Sequence, residues 1–175
     1  MIRDPASAVV ERGTDGSVRV RVEGDEPIRL EPVDRGWRVR GLGEAGEWRA
    51  ERVDVDGGGF RLRSAAAAGE EGARTTRMPG LASGDPAQGR HVLLEDGRLF
   101  RLVERGGSDP RFELLSWEVP GPYLVARLTA DGWKIEPQAA GGALGDLRPL
   151  WILMAMEILD SEEPLGNARS NDDAS

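Results

Sequence analysis

The stretch from residue 150 to residue 159, LWILMAMEIL, constrains the fold more than any other part of the chain. At roughly 100° per residue, its apolar side chains point to every sector of a helix. A helix that is apolar on all sides has to be buried on all sides. Its apolar run is about half the length that a bilayer requires, so no transmembrane segment is expected. The sequence therefore predicts a central hydrophobic helix over residues 146–163.

Glu157 is the one charged residue inside this apolar run. A buried carboxylate without a partner costs several kcal/mol. We therefore expect Glu157 to pair with an arginine on a strand or to reach the rim of the core, and a structural pair is favoured over a functional site. The other side chains expected to anchor the helix in the core are Leu150, Trp151, Leu153, Met154 and Ile158.

Before the helix, apolar and polar residues alternate in short runs, which is typical of strands with one buried face. In SVRVRVE, residues 17–23, the three valines face one way while Arg19 and Arg21 face the other. Dipeptides such as Asp96-Gly97 and Asp131-Gly132 indicate tight hairpins. Eleven strands are predicted, over residues 7–12, 17–23, 27–33, 36–41, 47–53, 59–63, 90–94, 98–104, 111–117, 123–129 and 133–136.

These strands fall into two groups, within residues 6–63 and 90–136. The segment 64–86 has few bulky apolar side chains and is expected to be an exposed linker. In residues 164–175, apolar side chains do not recur at the spacing of a helix or a strand, so a disordered tail is expected. The chain is long enough for one core, so a single domain over residues 1–163 is expected. The segments around Gly36-Trp37 and Gly132-Trp133 show a weak internal sequence similarity.

A closed sheet of about eleven or twelve strands has an interior too wide for its own side chains to fill. The central helix has the apolar surface that such a space needs. The predicted fold class is therefore mostly β: a closed antiparallel β-barrel of about 11–12 strands that encloses a hydrophobic C-terminal α-helix.

The net charge of the chain limits its partners. It is −8, from 31 acidic and 23 basic residues, and no segment supplies the clustered basic surface that nucleic acid requires. We expect no nucleic-acid partner, although 23 basic residues could still gather on one side of the fold. The absence of cysteine excludes disulfides and thiolate chemistry. The N-terminal residues lack the apolar core of a signal peptide, so a cytoplasmic location is expected.

The C-terminal part of the chain resembles the tubby C-terminal-like superfamily. The resemblance lies in the strands FELLSW and YLVARLTADGWKIEP and in the helix LWILMAMEIL, and it is clearest over residues 90–163. This superfamily includes tubby-like proteins, phospholipid scramblases and the LURP-one-related proteins. The resemblance implies a twelve-stranded barrel around a central C-terminal helix, and the strand count extends it to residues 6–63.

For function, the resemblance implies a non-enzymatic binding or interaction module. The partners it suggests are phospholipid headgroups or a membrane surface, and a protein partner is the other candidate. The sequence shows no Lys/Arg cluster that matches the basic patch of tubby-like proteins, so no functional residue is carried over. No cofactor and no metal site are expected, because one histidine and no cysteine leave only carboxylate ligands.

An enzyme with a rim site around His91 or Glu157 is the alternative function. His91 is the only histidine, it lies in a predicted strand, and the chain contains no Gly-x-Ser-x-Gly motif. An ordinary strand histidine is therefore favoured over a catalytic or pH-sensing one. The placement of the arginines discriminates between the partners: one basic patch beside exposed apolar residues favours a membrane, and an even scatter favours a protein.

Overall fold

A computed structural model describes residues 7–34, 36–41, 48–52, 59–64, 71–77, 90–94, 97–116, 120–138 and 148–162. These residues form twelve strands and one helix. The strands are β1 (Ala8–Arg12), β2 (Val18–Val22), β3 (Ile28–Val33), β4 (Gly36–Arg40), β5 (Trp48–Arg52), β6 (Phe60–Ser64), β7 (Glu71–Arg77), β8 (Arg90–Leu94), β9 (Leu99–Arg105), β10 (Arg111–Leu115), β11 (Pro122–Thr129) and β12 (Gly132–Pro137), and the helix is α1 (Arg148–Glu162).

Every strand pairs antiparallel with the strands that precede and follow it in the chain. β1 also pairs with β12, with Ala8 opposite Ile135 and Val10 opposite Trp133. The twelve strands therefore form one closed ring of antiparallel pairs, and their order in space follows their order in the sequence. Consecutive antiparallel strands can be joined by short hairpins, which is why Gly and Asp clusters separate them.

The prediction of a mostly β, antiparallel chain with one C-terminal helix is confirmed. All eleven predicted strands are present, and their ends lie within two residues of the predicted positions. The alternation is reliable because one face of each strand packs on the core. On β2, Val18, Val20 and Val22 are buried while Arg19 and Arg21 are exposed.

The twelfth strand, β7, lies inside the segment that was expected to be a linker, so that prediction is wrong for Glu71–Arg77. β7 pairs with both β6 and β8. Its sequence, EGARTTR, has no bulky apolar residue, so it lacks the alternation that identifies the other strands. Backbone pairing on both sides compensates for this absence. Ser64, the first residue of the expected linker, ends β6. Residues 65–70 and 78–86 of that linker and the expected tail at 164–175 lie outside the described residues.

α1 runs through the middle of the strand ring. Its ten consecutive residues from 150 to 159 are buried, and the apolar ones belong to the same core cluster as the inward residues of the strands. The predicted anchors are all among them: Leu150, Trp151, Leu153, Met154 and Ile158. Among the described residues, no helix has the length and apolar character needed to cross a membrane.

Side chains from four strands hold the C-terminal end of α1. A helix leaves its last carbonyls unpaired and carries negative dipole charge there, yet α1 has no basic residue in its last turn. Arg12 of β1 donates to the Leu159 carbonyl. Three further strand side chains donate to side chains of the last turn, with Arg52 of β5 to Asp160 at 2.9 Å, Arg90 of β8 to Ser161 at 2.8 Å and Trp133 of β12 to Glu162 at 2.8 Å. We call this end of the ring the C-terminal rim.

The weak internal sequence similarity around Gly36 and Gly132 has a structural basis. Each glycine begins a strand directly before a buried tryptophan, with φ of 128° and 129°. A Cβ atom would lie 2.3 Å from the carbonyl oxygen of Ala50 at the first position and 2.2 Å from that of Val10 at the second. Glycine is therefore required at both positions by the neighbouring strand and by the positive φ.

We expect the amides of residues 150–159 to exchange with solvent only through near-global unfolding, because exposure of any face of α1 requires the strand ring to open. Native-state hydrogen exchange in low denaturant measures this. The exposed Gly106 and Gly107 provide the fast reference within the same sample. Helix amides that exchange as fast as these glycines would show that α1 is a peripheral element.

Candidate functional site

The Glu157 carboxylate is completely buried, and Arg90 on β8 faces it. Glu157 Oε2 lies 3.9 Å from Arg90 Nε, and the Arg90 side chain is 17% exposed. Arg90 Nη1 also donates to Ser161 Oγ, which in turn donates to the carbonyl oxygen of Glu157, both at 2.8 Å. The arginine partner predicted from the sequence is thus present at ion-pair distance. These contacts indicate a structural role for Glu157 at the C-terminal rim.

His91 lies on the other side of the strand wall from Glu157. Neighbouring residues of a strand point to opposite faces, and Arg90 points inward to Glu157. His91 therefore points outward, where it is buried and its Nδ1 atom has no hydrogen-bond partner within the described part of the chain. The two residues of the alternative enzyme site are not brought together. Within the described ranges, no three His, Asp or Glu side chains are grouped to hold a metal.

The outer surface of β2–β6 concentrates positive charge. The inward positions of these strands are mostly apolar and buried, and the outward positions carry eight arginines against two glutamates, a formal charge of +6. We call this surface the arginine face. Its residues are Arg19, Arg21, Arg29, Arg38, Arg40, Arg49, Arg61 and Arg63, with Glu31 and Glu51.

Strand register places the arginines directly opposite one another. The two cross-strand rows are Arg19, Arg29 and Arg40 on β2–β4, and Arg38, Arg49 and Arg63 on β4–β6. Opposed residues of an antiparallel pair have Cβ atoms about 4.5–5.5 Å apart, and like charges in such pairs destabilise the sheet. Rows of this kind therefore need a reason other than stability, and binding of an anionic partner is such a reason.

Three glutamates neutralise part of the arginine face: Glu31 and Glu51 within it, and Glu11 of β1, which lies 2.6 Å from Arg21. Glu31 accepts a hydrogen bond from Arg40 Nε at 3.0 Å. Glu51 lies 2.7 Å from Arg61 and 3.6 Å from Arg63. The exposed arginines of this face that form no ion pair with any described residue are Arg19, Arg29 and Arg49. Their guanidinium groups are available to a ligand.

The outer surface of β9–β11 differs because its arginines are paired. Glu113 accepts hydrogen bonds from Arg105 Nε and Arg111 Nε, both at 2.9 Å, and Asp109 pairs with Arg127 at 3.3 Å. Burial raises the pKa of Glu113, but the hydrogen bonds from the two arginines outweigh burial and hold the pKa below its ordinary value. The positive charge of this surface is thus largely neutralised within the protein.

The arginine face could not be located in the sequence, although the sequence left open that the 23 basic residues gather on one side of the fold. Each strand contributes one or two arginines, so no segment contains a basic run. The signal is the outward position of these arginines on five consecutive strands. It becomes visible only when those strands are aligned in register.

Comparison of this chain with family models, with curated proteins and with solved structures finds no match. The resemblance to the tubby C-terminal-like superfamily therefore stays a prediction.

Replacement of Glu157 by methionine should destabilise the protein by roughly 3 kcal/mol, because Arg90 is left charged and largely buried without its carboxylate. Chemical denaturation at pH 7 measures this change. The double variant Glu157→Met, Arg90→Met is the control and should regain most of the loss, since neither charge remains. A Glu157→Met variant as stable as the parent protein would contradict the pairing.

Glu113 should make the stability depend on pH. Because its folded-state pKa is lowered, its ion pairs stabilise the protein above the ordinary pKa of 4.5 and are lost as the pH falls through the folded-state pKa. Glu113→Gln should cost about 2 kcal/mol at neutral pH and almost nothing in strong acid. Denaturation over a pH series measures the difference, with the exposed Glu104→Gln as control. A difference that does not change with pH would refute this role.

Proposed function

We propose that this protein is a non-enzymatic binding module that docks on the anionic phospholipid headgroups of a membrane surface through the arginine face. The observation that supports this function is the pair of cross-strand arginine rows on β2–β6. Guanidinium groups bind phosphate oxygens through two parallel hydrogen bonds. A surface of many headgroups offers a partner to many arginines at once.

The charge distribution favours docking in one orientation. The arginine face carries +6 although the whole chain carries −8, so its sign is opposite to that of the net charge. A local positive surface on an acidic chain orients that chain toward an anionic partner. Each basic residue near an anionic leaflet contributes about 1 kcal/mol. Several arginines acting together are therefore needed for useful affinity.

The arginine face meets the charge half of the condition for a membrane partner and, within the described part of the chain, lacks the other half, exposed large apolar residues beside it. Docking by this surface therefore depends on charge and not on insertion. The exposed large apolar side chains among the described residues are Leu99 and Leu128, which lie on β9 and β11, away from the arginine face. A face without large apolar anchors contacts headgroups and stays outside the hydrocarbon. Binding should therefore be reversible and should weaken as salt is added.

We further propose that the fold is a tubby-like closed barrel that acts at the cytoplasmic side of a membrane. A ring of twelve strands around a C-terminal helix supports the resemblance. The arginine face has the same sign of charge as the basic patch of tubby-like proteins. Anionic phospholipids are concentrated in the cytoplasmic leaflet, which fits the location expected from the sequence.

Co-sedimentation with vesicles tests the docking function. The full chain should bind vesicles that contain phosphatidylserine or phosphorylated phosphatidylinositol, should not bind vesicles of phosphatidylcholine alone, and should dissociate as salt rises. The triple variant Arg19→Gln, Arg29→Gln, Arg49→Gln should lose about 3 kcal/mol of binding free energy, roughly a hundredfold in the partition coefficient.

The matched control is the triple variant Arg98→Gln, Arg105→Gln, Arg127→Gln, which changes the net charge equally but on or beside β9 and β11. It should bind vesicles as the parent protein does. Equal losses in the two triple variants would reject the arginine face as the docking surface. Binding to polyglutamate without binding to vesicles would replace the membrane with an acidic protein partner.

A further inference from the structure

A cleft on the outer surface of β12, β1 and β2 borders the arginine face. Its volume is about 510 Å³, which lies within the range of small-molecule sites. Arg21 lines this cleft and also belongs to the arginine face. The two surfaces are therefore continuous and can meet the same partner. Unlike the arginine face, the cleft has a positive part and a negative part.

Lys134 and Arg21 form the positive part. Both lie directly opposite Val9, with Lys134 on β12 and Arg21 on β2, so Val9 forms a half-buried floor between two cations. Arg21 is held by Glu11 at 2.6 Å. Lys134 is half-buried and makes no ion pair with the described residues. The Lys134 ammonium is thus available to an anionic group above Val9.

Glu23 and Asp25 form the negative part, at the turn between β2 and β3. Glu23 is fixed on Ser7, since its backbone N–H donates to the Ser7 carbonyl and its carboxylate accepts from Ser7 Oγ, both at 3.1 Å. Ser7 lies two residues before Val9, so the negative part is about 7 Å along the strand from the positive part. This separation suits a small zwitterion.

The lining also discriminates between kinds of ammonium group. Quaternary ammonium ions are bound in cages of aromatic rings, and no aromatic residue is among the described residues that line the cleft. Carboxylates accept hydrogen bonds, which a primary ammonium group donates and a quaternary one does not. Glu23 and Asp25 therefore fit a primary ammonium group.

We propose that this cleft binds the phosphate–ammonium zwitterion of a phosphoethanolamine headgroup, with the phosphate between Lys134 and Arg21 and the ammonium group at Glu23 and Asp25. This inference rests on the proposed docking function for the source of the headgroup. The arginine face holds the anionic surface, and the cleft selects one kind of lipid within it. A free headgroup such as glycerophosphoethanolamine offers the same chemistry, so both sources are compared in the test.

Lysine-selective isotope labelling places a single side-chain probe in the cleft, because Lys134 is the only lysine in the chain. Titration of the full chain with glycerophosphoethanolamine should shift the Lys134 NMR signals to saturation. Glycerophosphocholine and glycerophosphoglycerol should bind about tenfold more weakly, a difference of about 1.4 kcal/mol, since neither offers a primary ammonium group. Equal affinity for the three compounds, or no response to any of them, would overturn the inference.

Variants separate the two parts of the cleft. Lys134→Met should abolish binding, observed at the Val9 backbone amide, whereas Lys134→Arg should keep it because the charge is retained. Glu23→Gln combined with Asp25→Asn should remove the preference for ethanolamine over choline. Unchanged melting temperatures would show that these surface substitutions leave the fold intact. A preference that survives loss of both carboxylates would refute the assignment of the ammonium group.

Vesicle-binding measurements distinguish the proposed headgroup site in the cleft from the proposed docking function of the arginine face. At constant phosphatidylserine, replacement of phosphatidylcholine by phosphatidylethanolamine should strengthen binding of the parent protein but not of Lys134→Met. Arg29→Gln should weaken vesicle binding and leave the titration with the free headgroup unchanged. Saturable binding of the free headgroup without vesicle binding would refute docking and support the cleft for a soluble ligand. Vesicle binding with no response of Lys134 to the headgroup would refute the cleft alone.

Discussion

Burial of a helix that has no polar face is the constraint on which this structure depends. A ring of about eight strands is filled by its own side chains, so a helix about 10–12 Å across needs a wider ring. The helix and the number of strands therefore require each other. Their lengths also agree: the fifteen residues of α1 span about 22 Å, and strands of five to eight residues span about 17–26 Å.

The arginines of the strands serve two purposes, and strand position separates them. Arg12, Arg52 and Arg90 lie at strand ends that meet at the C-terminal rim, where an inward side chain keeps its stem in the core and its guanidinium at the edge. Arg52 also lies over the ring of Phe60, 4.9 Å from its centroid. The same residue type at outward positions on β2–β6 forms the arginine face, which stabilises nothing inside the core.

The sequence could predict what depends on local pattern, and it could not predict what depends on register. Alternation located eleven strands, and the apolar run located α1. β7 was missed because pairing with two neighbours holds it without apolar side chains. An arginine partner for Glu157 could be expected, but its identity as Arg90 depends on how α1 sits against β8. The cleft requires the β1–β12 pair, which brings Lys134 beside Val9 from the far end of the chain.

The filled interior moves function to the outside of the ring. Because α1 occupies the space where a barrel of this width would hold a ligand, the described strands present a partner with the outer ends of their side chains. An outer surface of this kind tolerates rows of like charge, since the core and the C-terminal rim supply the stability that such rows reduce. Strand β2 then connects the two outer features, with Arg19 in the arginine row and Arg21 in the cleft. A partner that engages both would have to present many negative charges and one zwitterion in the same plane, and a mixed phospholipid surface has that composition.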